Sequence, residues 1–200
     1  LDIDLDKLSF DRDRIIVKGS DDEITLKALG KKLICSLRPL FVCESYVGHK
    51  SPPPYMAGFA EVEVNTDTGK VYVEKFVGVF DIGTVINPPL ARIQAEGGIL
   101  QGIGMALYEE VRMSSNGKIL TNTFKNYNIP TRRDVGNIIV DFAESYESTG
   151  PYGAKSAGEI GLNASCPAIQ EAIYNAVGVR INSLPITPEK ILTALKKLEK

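Results

Sequence analysis

The stretch "GAKSAGEIGLNASCPAIQEAI", residues 153–173, carries a carboxylate, Glu159, between Gly158 and Gly161. Flanking glycines let a backbone approach another group closely and adopt angles closed to other residues. A tight apolar pocket tunes a carboxylate toward general-base work near neutral pH. The plainer alternative is a solvated loop acid at the start of the following helix, where negative charge is favourable.

Gln94 and Gln101 form a second candidate group, with Gly97, Gly98, Gly102 and Gly104 around them. A glutamine amide offers an acceptor and two donors, which suits the edge of a heterocycle. The glycines would admit a flat or phosphorylated ligand, or else a tightly packed neighbouring helix. "GIGMAL" does not make a dinucleotide loop, because a third glycine and a preceding strand are missing.

Other polar candidates have weaker claims. His49, the single histidine, reads as a surface or satisfied residue and cannot make a zinc site alone. Cys166 precedes Pro167 at a helix start, but a catalytic thiolate needs a base, so a buried structural thiol is expected. Lys155 is either a phosphate contact or a solvated loop charge. Glu109 and Glu110 read as a wet helix end.

Positioning these groups requires a mixed α+β fold. "RIIVKGS" reads as a strand ending at Gly19. "DDEITLKALGKKLI" reads as a helix capped by Asp21 or Asp22, with Ile24, Leu26, Leu29 and Leu33 toward a core. Pro52, Pro53 and Pro54 mark an extended connector. Around "NTDTG", alternation predicts a hairpin, with Val62 and Val64 on one side, Glu61 and Glu63 on the other, Val71, Val73, Val77 and Val79 repeating the pattern after the turn, and Gly69 at positive φ. A helix follows Pro88 and Pro89, with Leu100, Leu107 and Val111 in one stripe and Ile93 and Ile103 at its edges. A strand is expected over 138–142. The next helix has Ser165 as N-cap, Gly178 beyond its end, and Ile169, Ala172, Ile173, Ala176 and Val177 buried. Thr187 and Pro188 open a last helix. Residues 1–38 are expected to form a strand–helix segment of a neighbouring layer, and residues 39–200 the main domain.

The 200 residues carry a net charge of −2, so nothing points to nucleic acid, and no apolar run approaches a membrane span. Three cysteines without a CxxC pair suggest a reducing, cytoplasmic setting and cannot build a four-thiolate cluster. No metal-ligating set is expected. Because the chain opens on Leu1, it is expected to be a split subunit, a processed product or an excised piece.

"FAEVEVNTDTGKVYV", "DIGTVINP", "QAEGGILQGIGMALYEE", "NYNIPT", "GAKSAGEIG" and "PITPEKIL" follow one another in this order. Together they resemble the C-terminal part of the molybdopterin-binding subunit of molybdenum hydroxylases, over roughly residues 40–195. That family includes xanthine dehydrogenase, aldehyde oxidoreductases, nicotinate dehydrogenase and the aerobic carbon monoxide dehydrogenases. The resemblance implies oxidative hydroxylation of an N-heterocycle or aldehyde, with Glu159 as the base beside molybdenum. It places Gln94 on the pterin and carries Lys155 and Ser156 to the segment passing near the metal. It implies a molybdopterin, with a cytosine dinucleotide form among the options. It also implies iron–sulfur clusters and FAD on other subunits or domains, and the rest of the molybdenum subunit as partner. "GEIG" departs from the G-E-P-P form of some xanthine-oxidising relatives, which leaves the substrate open. The alternatives are a non-catalytic assembly domain of the same fold and a metal-free two-carboxylate hydrolase.

Overall fold

In the computed structural model, residues 3–45, 47, 48 and 50–198 are described. The chain divides into two compact units, Leu1–Val47 and Gly48–Lys200, nine residues beyond the expected 38/39 boundary. His49 lies outside the described residues.

The first unit is a meander of β1 (Leu8–Asp11), β2 (Arg14–Val17) and β3 (Glu23–Thr25), followed by α1 (Leu26–Cys35). The helix starts later than expected. Thr25, rather than Asp21 or Asp22, caps it by accepting from the Ala28 amide at 3.2 Å. Ile24 lies on β3, paired with Ile15, so the expected helical stripe loses its first member to a strand.

The second unit is built on β4 (Tyr55–Val64), β5 (Val71–Asp81) and β6 (Val135–Phe142), in that order across the sheet. β4 and β5 form the antiparallel hairpin, and β6 joins β5 in parallel. A parallel return needs a crossover, which α2 (Pro88–Leu107) supplies. The hairpin turn is made by Asn65, whose Oδ1 accepts from the Asp67 and Thr68 amides at 3.1 and 2.9 Å. Gly69 takes the expected positive φ of +71°.

The strand phase, however, changes halfway along the hairpin. Glu61 pairs with Lys75 while Val62 pairs with Val73, which leaves Glu74 as an extra residue in a bulge. Beyond it Phe76, Gly78 and Phe80 point into the core, and Val77 and Val79 lie on the opposite face. The expected single row Val71–Val73–Val77–Val79 is therefore split.

Against the inner face pack α2, α4 (Ser165–Val177) and α5 (Pro188–Leu198), with α3 (Ile160–Asn163) before α4. Phe76, Phe80, Ile99, Ile103, Ile169, Ile173 and Ile191 are fully buried there. Burying one such side chain contributes about 1.5–3 kcal/mol. α2 ends at Leu107, so Val111 falls outside it and is 57% exposed, and Ile93 is also exposed. Glu109 is not a wet end. It is half-buried and accepts from the Tyr127 hydroxyl at 2.6 Å. Ser165 is the first helical residue of α4, not its cap, and Ala176 is exposed. Gly178 closes α4 in the left-handed conformation, φ 73°. Thr187 caps α5 through the Lys190 amide.

Candidate functional site

The site begins with the entry to α2. Asn87 caps the helix by accepting from the Leu90 amide at 3.1 Å, with Pro88 and Pro89 in its first turn. Proline there forfeits no intrahelical hydrogen bond. This fixes the first half of α2, which carries the exposed Ile93, Gln94 and Gly97, with Gln101 exposed one turn further on.

Two glycines set what that half faces. A Cβ added at Gly98 would lie 2.9 Å from the Gly161 Cα, and one added at Gly161 would lie 3.1 Å from the Ala95 carbonyl oxygen. Neither position tolerates a side chain without backbone movement, so α2 and α3 cross at van der Waals contact. One turn further along, Gly102 meets Ser165, whose hydroxyl donates to the Gly161 carbonyl at 3.3 Å. Helix–helix packing thus accounts for Gly98 and Gly102. Gly97 is different, since a Cβ there would meet nothing within 4 Å.

The crossing places Glu159 and Gly158 beside α2. Glu159 occupies the N-cap position of α3 without making a capping hydrogen bond. Its carboxylate has no hydrogen-bond or ion-pair partner among the described residues. With Ile93, Gln94, Gly97, Gly98, Gln101, Gly158 and Leu162 it lines a recess of about 370 Å³. Gln94 Nε2 donates to the Gly158 carbonyl at 2.7 Å, joining the two walls. The tight apolar pocket expected around Glu159 is not formed by this chain. Glu159, Gln94 and Gln101 are all exposed, and two glutamine amides make the recess partly polar.

Of the four residues expected at a site, Gln94 and Glu159 come together in the recess, and Lys155 and Ser156 do not line it. Ser156 is exposed. The Lys155 ammonium is neither solvated nor open to a ligand. It lies 2.6 Å from Asp81 Oδ2 with its side chain only 9% exposed, and 5.2 Å from the Tyr55 ring centroid. Asp81 also accepts from the Ser145 hydroxyl at 2.5 Å and the Gly83 amide at 3.2 Å. The hydrogen bond from Lys155, then that from Ser145, hold its carboxyl down at about 2, below the usual carboxylate range. Sequence reasoning passed over Asp81; its faint signal was the "DIG" turn, where an Asp accepts from the amide two residues on.

Cys166 is half-buried, and its thiol donates to the Gly102 carbonyl at 3.4 Å. Burial pushes the thiol up from its ordinary range, which makes it a poor nucleophile. Among the described residues no three His, Cys, Asp or Glu side chains come together to hold a metal ion. No described helix is long and apolar enough to cross a membrane. A larger groove of about 910 Å³ runs beside the hairpin turn and α5, lined by acids and bases alike, such as Glu63, Lys70, Arg112 and Glu189. It contains none of the expected site residues.

The comparisons with known proteins concern the fold that carries this recess. The family model described as "Molybdopterin cofactor-binding domain" matches residues 1–136, and the chain belongs to that family. The match includes the first unit and ends before Glu159.

Relatives cover the remainder. The chain is 33% identical, over 100% of its length, to the gamma subunit of the 6-hydroxypseudooxynicotine dehydrogenase complex of Paenarthrobacter nicotinovorans, covering 26% of that protein. It is 42% identical over 77% of its length to a probable hypoxanthine oxidase of Escherichia coli K12, covering 16% of it. Among solved structures, the aldehyde oxidoreductase from Desulfovibrio desulfuricans is 37% identical with a TM-score of 0.65, over 70% of this chain and 15% of that one. Quinoline 2-oxidoreductase from Pseudomonas putida 86 superposes over 96% of this chain and 26% of that one, with a TM-score of 0.74 and 25% identity. The chain therefore spans about a quarter or less of the length of the relatives it matches.

Proposed function

We propose that this chain supplies one wall of a molybdenum–pterin cavity in a molybdenum hydroxylase, with Glu159 as general base and Gln94 and Gln101 facing the pterin. The observation that carries this reading is the unpartnered Glu159 carboxylate, which shares a recess with both glutamines. A surface acid at a helix start would be expected to cap the helix or pair with a base, and Glu159 does neither.

The residues present fit such a group. Glutamine amides match the donor–acceptor edge of a pterin, and the bare backbone at Gly97 leaves room for a flat ring. When bound, the cofactor supplies the two-electron oxidation and oxygen transfer. The chain's own work is to aim and hold. Gln94 Nε2 fixes the Gly158 carbonyl and so the backbone next to Glu159. A Glu159 carboxylate oxygen takes up the proton released as the nucleophilic oxygen is activated, and hands it on to water at the open side of the recess. Ser156, exposed three residues earlier, is the remaining candidate for a cofactor contact.

The substrate class is an electron-poor N-heterocycle, purine-like, or an aldehyde. Relatives named for hypoxanthine, quinoline and aldehyde oxidation support that range. The partners are the remaining part of the molybdenum subunit and iron–sulfur and flavin subunits or domains. A relative named as the gamma subunit of a dehydrogenase complex supports a multi-subunit assembly.

The test is to co-produce the chain with the rest of its molybdenum subunit and assay the purified assembly for molybdenum, pterin and released nucleotide. About one molybdenum per assembly is expected, with loss on Gln94→Ala combined with Gln101→Ala. An assembly that forms stoichiometrically without molybdenum would favour the scaffold alternative. Activity that survives molybdate starvation would favour the hydrolase.

A further inference from the structure

We propose that the Asp81–Lys155 ion pair is the positioning device of the Glu159 loop, and that Lys155 acts through this pair rather than by touching the cofactor. The inference rests on the reading of Glu159 as the base. The loop from 153 to 159 is packed unevenly: Gly153 is buried and Ala157 packs against the core, whereas Gly158 is exposed. It contains Gly153 and Gly158, and a Cβ at Gly158 would meet nothing within 4 Å, so local packing does not hold it there. Anchors must come from outside the loop.

The structure shows them at both ends. At the start, the Thr84 amide donates to the Gly153 carbonyl and the Lys155 amide to the Ile82 carbonyl, each at 2.8 Å. These bonds lay the segment along the exit from β5. The Lys155 ammonium then closes on Asp81, the last residue of β5, at 2.6 Å. At the far end, Gln94 holds Gly158. Ser156 and Ala157 alone separate the two anchored positions, so the path from Lys155 to the backbone beside Glu159 is short.

The pair differs from an ordinary surface bridge. Lys75–Glu61, for comparison, has side chains 45% and 64% exposed, and exposed pairs hold little. Lys155 is nearly covered, and Asp81 is 26% exposed. Asp81 is further fixed by Ser145 and Gly83, so the carboxylate is preorganised before the lysine arrives. This is the arrangement expected of a support whose geometry matters.

The experiment compares Asp81→Asn, Lys155→Met, Lys155→Arg and Glu159→Gln in the assembled molybdenum subunit carrying this chain. Asp81→Asn and Lys155→Met are expected to lower kcat at least tenfold, with KM and bound molybdenum within twofold of wild type. Lys155→Arg, whose guanidinium still reaches Asp81, should recover kcat to within about threefold. Hydrogen exchange on the chain itself gives a readout independent of turnover. Amides 156–159 should exchange about tenfold faster in Asp81→Asn and Lys155→Met but not in Lys155→Arg, with core amides of β5 unchanged. Ser145→Ala, a milder change, should move both readouts part of the way if the stronger variants fail to fold. Unchanged kcat in Asp81→Asn and Lys155→Met, beside an inactive Glu159→Gln, would overturn the positioning role and leave the base reading intact. Loss of bound molybdenum in Lys155→Met, with full kcat per remaining metal, would make Lys155 a cofactor contact and overturn it too. An active Glu159→Gln would remove the base reading, and the positioning role with it.

Discussion

Gln94 Nε2 donates to the Gly158 carbonyl at 2.7 Å across 64 positions of sequence, and this bond closes one side of the recess that Glu159 lines. An exposed hydrogen bond of this kind contributes about 0.5–1.5 kcal/mol net. Gln94→Ala should therefore lower the melting temperature by no more than about 6 °C. Its local effect should be larger, with faster hydrogen exchange at Gly158 and Glu159. Gln94→Glu, which turns a donor into a second acceptor facing the carbonyl, should loosen the loop more than the alanine does. Equal exchange in wild type and both variants would show that the loop does not depend on this bond.

Gly97 and Gly102 of α2 should respond to alanine in opposite directions. Gly97 has free space around its missing side chain, so Gly97→Ala should gain helix propensity, about 1 kcal/mol. That corresponds to a rise of roughly 2–4 °C in melting temperature. At Gly102, an added Cβ would lie 2.4 Å from Ser165 Cβ and 3.0 Å from the Leu162 carbonyl oxygen. Overpacking of this kind costs about 1–3 kcal/mol, so Gly102→Ala should melt lower despite the same gain in propensity. Thermal unfolding of both variants decides the matter, and a stabilised Gly102→Ala would contradict the crossing geometry.

These contrasts mark what the sequence could and could not reveal. The hairpin was legible because alternation and the "NTDTG" turn are local features. The bulge at Glu74 was not, because an extra residue in one strand shows only against its partner. The same holds for Val77 and Val79, whose face depends on that bulge. α2 was expected to run through Val111 because its hydrophobic spacing continues. The chain in fact leaves the helix at Tyr108, where Glu109 turns to meet Tyr127. Gln94 and Glu159 were singled out separately, by residue type and by resemblance, and only the fold shows the hydrogen-bonded loop between them. Asp81 was missed because a strand-terminal aspartate looks like any surface acid until its three donors are seen.

The Asp81 carboxyl, held down at about 2 in the fold, links stability to acid. Its unfolded value is about 3.9. A group whose folded value is depressed adds stability above the unfolded value and loses it as pH falls toward the folded one. The full shift corresponds to about 2.6 kcal/mol at neutral pH, and solvent screening at this partly exposed pair reduces it to the order of 1–2 kcal/mol. Asp81→Asn should therefore be less stable than wild type at pH 6, and the difference should shrink steadily between about pH 4 and pH 2. Denaturant titrations of both proteins across that range measure it. A constant difference from pH 6 to pH 2 would show that the Lys155 pair does not hold the carboxylate as described.

The central claim, that the Glu159 carboxylate is the base of a molybdenum site built partly by this chain, is tested most directly by turnover per bound molybdenum in Glu159→Gln. Glutamine keeps the size and the exposed setting but cannot take up a proton. General-base assistance alone is typically worth about a hundred- to ten-thousandfold. The expected result is at least a hundredfold loss in kcat with molybdenum and pterin content unchanged. Turnover within tenfold of wild type, at equal metal loading, would contradict it.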